Sequence, residues 1–292
     1  MIREALNAKQ KLINDRLAVL LKLDRLEHKT LYDAMNYSLL AGGKRIRPFL
    51  FLTVLDTLGV DSSRCVDAAC ALECVHTYSL IHDDLPAMDN DDYRRGRLTN
   101  HKVYGAGMAT QAGDGLLTFA FQLLAEQKQI PADVRIELID ILARAAGPEG
   151  MVGGQAQDME AEGKPLTLSQ LKTLDACKTG CLLAAPVSMA CAVAGASLKD
   201  RLLLETFAAH LGLLFQITDD LLDEKGNLED MGKMPGQDEK DHKSTFVTIL
   251  GVEKAEKYAE EEAELAKEAL AKLPFDSTIL YELTELMVHR KK

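Results

Sequence analysis

Hydrophobic side chains recur along this chain every three or four residues, which is the spacing of one face of an α-helix. Residues 65 to 85 contain neither glycine nor proline, and residues 202 to 223 form a second long apolar stretch. Clear alternation of polar and apolar positions, the mark of a strand, is missing from the sequence. The pattern therefore predicts an all-α fold of about ten or more helices, without a heptad repeat sustained enough for a coiled coil.

Glycine and proline predict where these helices begin and end. Gly42 and Gly43 follow a helical pattern as a C-terminal signal, and Pro48 suits the first turn of the next helix. The one long polar stretch after residue 225 is expected to form a lid. The helices predicted from these signals cover residues 3–27, 30–41, 48–59, 62–85, 101–128, 131–162 with internal breaks, 167–193, 202–223, 244–271 and 274–290.

Composition and charge narrow the class of protein. Of the 292 residues, 47% are hydrophobic and 27% are charged, as in water-soluble globular proteins. No linker divides the chain, so a single domain over residues 1–292 is expected. The sequence has no run of about 18 apolar residues and starts with a polar segment, so neither a membrane span nor a signal peptide is expected and the location should be cytoplasmic. A net charge of −11 argues against a nucleic-acid partner.

The cysteines give no sign of a metal or disulfide site. All six lie in apolar helical segments and none shows CxxC spacing. We expect them to be buried free thiols.

The densest chemistry lies at the end of the helix predicted over residues 65 to 85. His76, Leu80 and Asp83 share one helical face there. Five aspartates fall within ten residues from position 83 to 92, and three arginines follow by position 97. So many carboxylates repel one another unless cations offset them, and divalent ions with oxygen ligands are the expected cations.

A second acidic stripe lies near the end of the apolar stretch at residues 202 to 223. Gln216, Asp219 and Asp223 fall on one helical face, and Asp220 adjoins them. Negative charge at a helix C-terminus is unfavourable by roughly 0.3–1 kcal/mol per charge, so a cation should compensate it.

Basic residues lie in two further places, one before the first acidic cluster and one between the two clusters. Lys44, Arg45 and Arg47 lie in a short connection where their side chains could converge on one anion. Lys178 and Thr179 precede a glycine that weakens an apolar helix, which hints at a ligand contact. Two carboxylate rows sharing Mg²⁺, cations for phosphate oxygens and apolar helices below them suit a ligand with a diphosphate head and a hydrocarbon tail.

The motifs together resemble those of the trans-isoprenyl diphosphate synthases. HDDLPAMDNDDYRRG and FQITDDLLD resemble that family's two aspartate-rich motifs, and GGKRIRP, KTG and a later GK resemble its basic motifs, in the same order and spacing. The resemblance implies one bundle of mostly antiparallel helices around a central apolar cavity, and a homodimer. It also implies condensation of isopentenyl diphosphate with dimethylallyl or geranyl diphosphate through an allylic carbocation, which releases pyrophosphate.

The resemblance implies a role for each matching residue. Six aspartates would hold about three Mg²⁺ ions on the allylic diphosphate. Those aspartates are Asp83, Asp84, Asp89, Asp219, Asp220 and Asp223. The allylic diphosphate would be bound by Arg94, Lys178, Lys233 and Lys243. The diphosphate of isopentenyl diphosphate would be bound by Lys44, Arg47, His76 and Arg95. Thr179 and Gln216 would lie beside the allylic carbon.

Product length is predicted from the helix before Asp83. Ser79 lies four residues before Asp83 and so along its face, and Tyr78 lies one residue further. By resemblance an aromatic residue at the Tyr78 position stops growth at C15, whereas a small residue there goes with C20. The expected product is therefore farnesyl diphosphate, with geranylgeranyl diphosphate as the alternative.

Three other readings compete with this one. His82 beside Asp83 is compatible with a helical metal phosphohydrolase of the HD type, but the second acidic stripe brings no further histidine. A class I terpene cyclase shares the first motif but typically has Asn, Ser and Glu in its second, where this chain has Asp219, Asp220 and Asp223. A non-catalytic partner subunit of a prenyl synthase would be expected to lack some of these acids or bases.

Overall fold

The computed structural model describes residues 1–22, 26–225 and 243–289. Those residues are mostly helical, which confirms the predicted all-α class. Contacts divide the chain into two compact units: the N-terminal unit comprises Arg3–Leu52 and Asp61–Ile139, and the C-terminal unit comprises Met1–Ile2, Thr53–Val60 and Asp140–Lys292. The single domain expected from the sequence stays a prediction.

Seven α-helices lie between residues 1 and 146 of the described chain. They are α1 Ile2–Leu20, α2 Lys29–Leu39, α3 Ile46–Thr57, α4 Val66–Asp83, α5 Asn100–Tyr104, α6 Ala106–Glu126 and α7 Ala132–Ala146. Two short 3₁₀ turns, Leu26–His28 and Ser62–Cys65, precede α2 and α4. Between α4 and α5 lies an antiparallel hairpin of β1 Tyr93–Arg94 and β2 Arg97–Leu98.

The remaining helices belong to the C-terminal unit. They are α8 Met151–Ala161, α9 Leu168–Asp175, α10 Cys181–Ala194, α11 Leu198–Lys225, α12 Phe246–Leu250, α13 Val252–Ala271 and α14 Thr278–Val288. A π-helical segment, Ala176–Gly180, joins α9 to α10. The long helix α11 packs against α10 and α13.

The core of the N-terminal unit is built around α4. Most of its residues are buried on all sides, including Ala69, Leu72 and Ile81, and the helix packs against α2 and α6. Glycine makes the approach to α6 possible, because a Cβ at Gly113 would lie 2.2 Å from Nε2 of His82. The central position of α4 fixes the direction in which its acidic end emerges.

The structure departs from the sequence prediction in five places. Gly251, with φ 80°, separates α12 from α13 where one helix over residues 244–271 was expected. α1 ends at Leu20 rather than at residue 27. Gly105, with φ 84°, separates α5 from α6 where one helix was expected. The π segment interrupts the helix predicted over residues 167–193, and the hairpin occupies what was predicted to be loop. All six cysteines are free, although Cys177 and Cys181 are only half-buried.

One helical run among the described residues, Leu168–Ala194, is long and apolar enough to cross a membrane. Its most apolar window has a mean hydropathy of 1.5 and is 44% buried. Core helices of water-soluble proteins meet the same criteria, so the run is weak evidence for a membrane span.

A buried ion pair ties α4 to the connection before α3. Arg45 Nη1 lies 2.5 Å from Glu73 Oε1, and both side chains are 1% exposed. Arg45 also donates to the carbonyl of Leu39 at 2.8 Å and to Asn14 Oδ1 at 2.9 Å. The guanidinium is therefore fully committed inside the fold, which corrects the expectation that Arg45 converges on an anion with its neighbours.

Glu73→Ala is expected to lower the free energy of unfolding by roughly 3–5 kcal/mol, because Arg45 would remain buried without its counter-charge. Asp15→Ala is the matched control, since it breaks a solvated pair with Lys11 at 2.5 Å and should cost under about 1 kcal/mol. The chain has no tryptophan, so urea unfolding is best followed by circular dichroism. Equal losses in the two variants would contradict the assigned role of Glu73.

Candidate functional site

In the N-terminal unit the first aspartate-rich motif begins where α4 ends. Asp83 is the last residue of the helix and is half-buried, whereas Asp84 is 3% exposed. Arg94 Nε and Nη2 both lie 2.6 Å from Asp84 Oδ1, and Arg94 Nη2 is 3.7 Å from Asp91. Burial raises the pKa of Asp84, and the arginine opposes that rise. Asp84 thus holds the hairpin to the helix end.

Asp89 lies in the turn that follows α4. Its amide donates to the carbonyl of Asp83 at 2.9 Å, so the turn folds back on the helix end. The Asp89 side chain is exposed. The backbone therefore keeps Asp83 and Asp89 near each other while the second carboxylate remains accessible to water.

The hairpin places Arg95 against the glycine pair of the sequence motif GGKRIRP. Arg95 and Gly96 both have positive φ, 54° and 73°, as in the two-residue type I′ turn that a tight hairpin requires. The Arg95 guanidinium donates to the carbonyl of Gly42. A Cβ on Gly43 would lie 2.7 Å from Arg95 Cζ, so only glycine permits this contact without displacing the arginine.

A basic cluster surrounds His76 on the second turn before the end of α4. Burial lowers the pKa of His76 well below its usual value, and the charges of Arg47 and Arg95 lower it further. Arg47 is 9% exposed, whereas Lys44 is exposed. The cluster has an excess of positive charge and suits an anion.

The two predicted chain-length residues have different environments. Tyr78 is 5% exposed, and its ring packs edge-to-face on His82 with centroids 5.5 Å apart. Burial and the charge of Asp83 raise the pKa of Tyr78 to about 12. Ser79 is half-buried and donates to the carbonyl of His76 at 3.0 Å. Tyr78 is therefore a neutral, packed aromatic residue.

His82 is anchored by backbone. Its Nε2 lies 3.1 Å from the carbonyl of Thr110, beside the close contact with Gly113. Asp114 Oδ1 is 3.8 Å from the same nitrogen. These contacts give His82 a packing role, which weakens the reading as an HD-type phosphohydrolase.

In the C-terminal unit the predicted residues line a cavity of about 110 Å³. Lys178, Gln216, Asp220 and Lys243 contribute to its wall. Three acids that the sequence reading gave no role also line it: Asp158, Glu162 and Asp175. Asp158 could have been singled out by its spacing from Gln155 on the amphipathic segment QAQDMEAEG, but that pattern alone does not distinguish a site from a solvated face.

The second aspartate-rich motif divides into bonded and available carboxylates. Asp220 accepts from Gln216 Nε2 at 2.9 Å and from the amide of Phe246, the first residue of α12, at 2.7 Å. Asp219 is half-buried. Asp223 is 7% exposed, and its Oδ1 has no hydrogen-bond partner among the described residues. Asp220 therefore fixes the start of α12, and Asp223 offers an oxygen for a ligand.

The π segment that carries Lys178 and Thr179 is closely approached by a glycine on each of two other helices. A Cβ on Gly154 of α8 would lie 2.3 Å from the amide nitrogen of Lys178, and a Cβ on Gly212 of α11 would lie 3.3 Å from the Cα of Gly180. Both helices thus approach the backbone of the segment closely. π segments of this kind widen a helix and are common at functional sites.

The carboxylates suit Mg²⁺ by their chemistry. Within the described ranges no three acidic, histidine or cysteine side chains are already arranged as a metal cluster. The partnerless Oδ1 of Asp223 and the exposed carboxylate of Asp89 are hard oxygen donors of the type that Mg²⁺ prefers. Lys233, a predicted diphosphate ligand, lies outside the described residues.

Comparison with known proteins gives consistent matches over nearly the whole chain. The polyprenyl synthetase family model matches residues 28–285. The chain is 50% identical over 271 residues to a farnesyl diphosphate synthase of Geobacillus stearothermophilus, covering 92% of this chain and 91% of that protein. It is 44% identical over 262 residues to a geranylgeranyl diphosphate synthase of Cyanophora paradoxa, covering 89% and 87%. A solved geranyltransferase of Helicobacter pylori, complexed with magnesium and isoprenyl diphosphate, has a TM-score of 0.85 at 34% identity and covers 97% of this chain and 96% of that one.

His76 is expected to be neutral at pH 7 in the folded protein because its pKa is lowered by burial and by arginines. The unfolded chain binds a proton there below about pH 6.5 and the folded chain does not, so this residue makes stability fall as pH drops through that value. NMR of ¹³C-labelled histidine should show His76 unchanged around pH 6.5. His289, which is 76% exposed, is the internal reference. Titration of His76 near pH 6.5 would refute the expectation.

Proposed function

The chain belongs to the polyprenyl synthetase family, and from that membership we propose that it is a farnesyl diphosphate synthase, a Mg²⁺-dependent prenyltransferase. The observation that carries the proposal is helix α4. It ends at Asp83, the next residue Asp84 is bonded to Arg94, and the helix carries a buried Tyr78 five residues before Asp83. An acidic end suits a metal-bound diphosphate, and a packed ring on the same helix suits a limit on chain length.

The proposed reaction is the 1′-4 condensation of isopentenyl diphosphate with dimethylallyl or geranyl diphosphate. The allylic C–O bond breaks, and its electron pair leaves with pyrophosphate. The double bond of isopentenyl diphosphate attacks the allylic carbon and forms the new C–C bond. A proton is then lost to the released pyrophosphate, which restores a double bond and balances the charge.

Aspartates of both motifs would hold Mg²⁺, with about three ions per site. The proposed ligands are Asp83, Asp84, Asp89, Asp219, Asp220 and Asp223. When bound, Mg²⁺ stabilises negative charge that develops on the departing pyrophosphate. Asp84 and Asp220 also accept hydrogen bonds from Arg94 and Gln216, so besides binding Mg²⁺ they would orient these two side chains.

Basic residues would bind the two diphosphates. Arg94, Lys178, Lys233 and Lys243 are proposed for the allylic substrate, and Lys44, Arg47, His76 and Arg95 for isopentenyl diphosphate. The crowding of arginines around His76 supports the second set, because their mutual repulsion falls when an anion arrives. The side-chain oxygen atoms of Thr179 and Gln216, which carry partial negative charge, would face the allylic cation.

We also propose that the protein is a cytoplasmic homodimer. Size-exclusion chromatography with light scattering tests the dimer, and a monomer at micromolar concentration would remove that part of the proposal.

Product analysis tests the proposed activity. Incubation with geranyl diphosphate, isopentenyl diphosphate and Mg²⁺ should give farnesyl diphosphate and one pyrophosphate for each bond formed. A geranylgeranyl product would favour the alternative activity, for which the small half-buried Ser79 on the Asp83 face is the supporting observation. If the chain has no activity by itself and is active only when mixed with a second polypeptide, it is a partner subunit.

Tyr78→Ala is expected to shift the main product from C15 to C20 or longer, because it removes a buried ring from α4. Tyr78→Phe is the matched control; it keeps the ring, loses only the hydroxyl and should still give C15. Chromatography of the dephosphorylated products measures both. An unchanged C15 product from Tyr78→Ala would show that another residue limits the chain.

A further inference from the structure

Asp158, on α8, forms ion pairs with two lysines. Its Oδ2 lies 2.5 Å from Nζ of Lys178 and 3.9 Å from Nζ of Lys243. The Asp158 side chain is 20% exposed, and the lysines are 29% and 24% exposed. All three residues line the cavity of the C-terminal unit.

The two lysines reach this carboxylate from separate parts of the unit. Lys178 projects from the π segment, and Lys243 lies just before α12. Two ammonium groups in a partly buried wall repel each other, and the Asp158 carboxylate reduces that repulsion. The arrangement keeps both cations close together in a cavity that Asp175 and Asp220 also line.

The position of Asp158 is fixed by the packing of its helix. Gly154 lies four residues earlier on the same face of α8, where the helix touches the backbone of Lys178. Because a Cβ at Gly154 would lie 2.6 Å from the Cα of Lys178, α8 cannot shift without losing this contact. Asp158 is thereby held beside the lysine side chain.

We propose that Asp158 is a positioning residue that aligns Lys178 and Lys243 for the allylic diphosphate. The proposal rests on the proposed function for the identity of that ligand. Lys178 and Lys243 are both proposed ligands of that diphosphate, and long lysine side chains lose much conformational freedom when they are ordered. Asp158 orders them before the substrate binds.

Kinetics of Asp158→Asn test the proposal in the full-length protein. The amide keeps the shape of the side chain but removes its charge. The KM for geranyl diphosphate should rise about tenfold or more, since the charge-assisted hydrogen bond to Lys178 and the longer ion pair with Lys243 are lost. The KM for isopentenyl diphosphate should change less than twofold. Glu160→Gln, an exposed change on the same helix, should leave both constants unchanged.

A second measurement reports on the lysines without turnover. Acylation of Lys178 at a fixed pH, followed by mass spectrometry, should proceed faster in Asp158→Asn than in the wild type, because the hydrogen bond that restrains the Lys178 amine is weakened. Unchanged acylation and an unchanged KM for geranyl diphosphate would overturn the proposal. A third outcome separates the two proposals. If the wild-type protein transfers no prenyl group but Lys178 is acylated faster in Asp158→Asn, the proposed function is overturned and the positioning role of Asp158 stands.

Discussion

A carboxylate taken out of water must find a cation or a hydrogen-bond donor, and this constraint organises both units. In the N-terminal unit Asp84 is satisfied by Arg94, which draws the hairpin to the end of α4. In the C-terminal unit Asp158 is satisfied by Lys178, and Asp220 by the first amide of α12. Each acid therefore builds the local structure as well as the charge of the site.

The aspartates of the two motifs do not share one role. Asp84 and Asp220 are buried and bonded to protein groups. Asp89 is exposed, and one oxygen of Asp223 lacks a hydrogen-bond partner among the described residues. In each motif a carboxylate that fixes the backbone thus accompanies one with an oxygen available to a ligand. Within the proposed metal site, Asp84 and Asp220 are thus held by protein groups before any ion binds.

Much of this organisation could be predicted from local pattern. The helical period predicted α4 and α11, and the spacing of His76 from Asp83 predicted a shared face. Pairings between distant segments could not be predicted in this way. Arg45, which has a positive φ, is buried against Glu73 on another helix, and no local pattern predicts that pairing. The π segment depends on glycines of two other helices.

The central claim is that aspartates and basic side chains together make a Mg²⁺-dependent diphosphate site. Calorimetric titration with inorganic pyrophosphate tests it without requiring any particular isoprenoid. We predict binding in Mg²⁺ that is lost with excess chelator, and a loss of affinity of about tenfold or more in both Asp83→Asn and Asp219→Asn, since each removes a charged metal ligand. Equal binding without Mg²⁺, or unchanged affinity in both variants, would contradict the account.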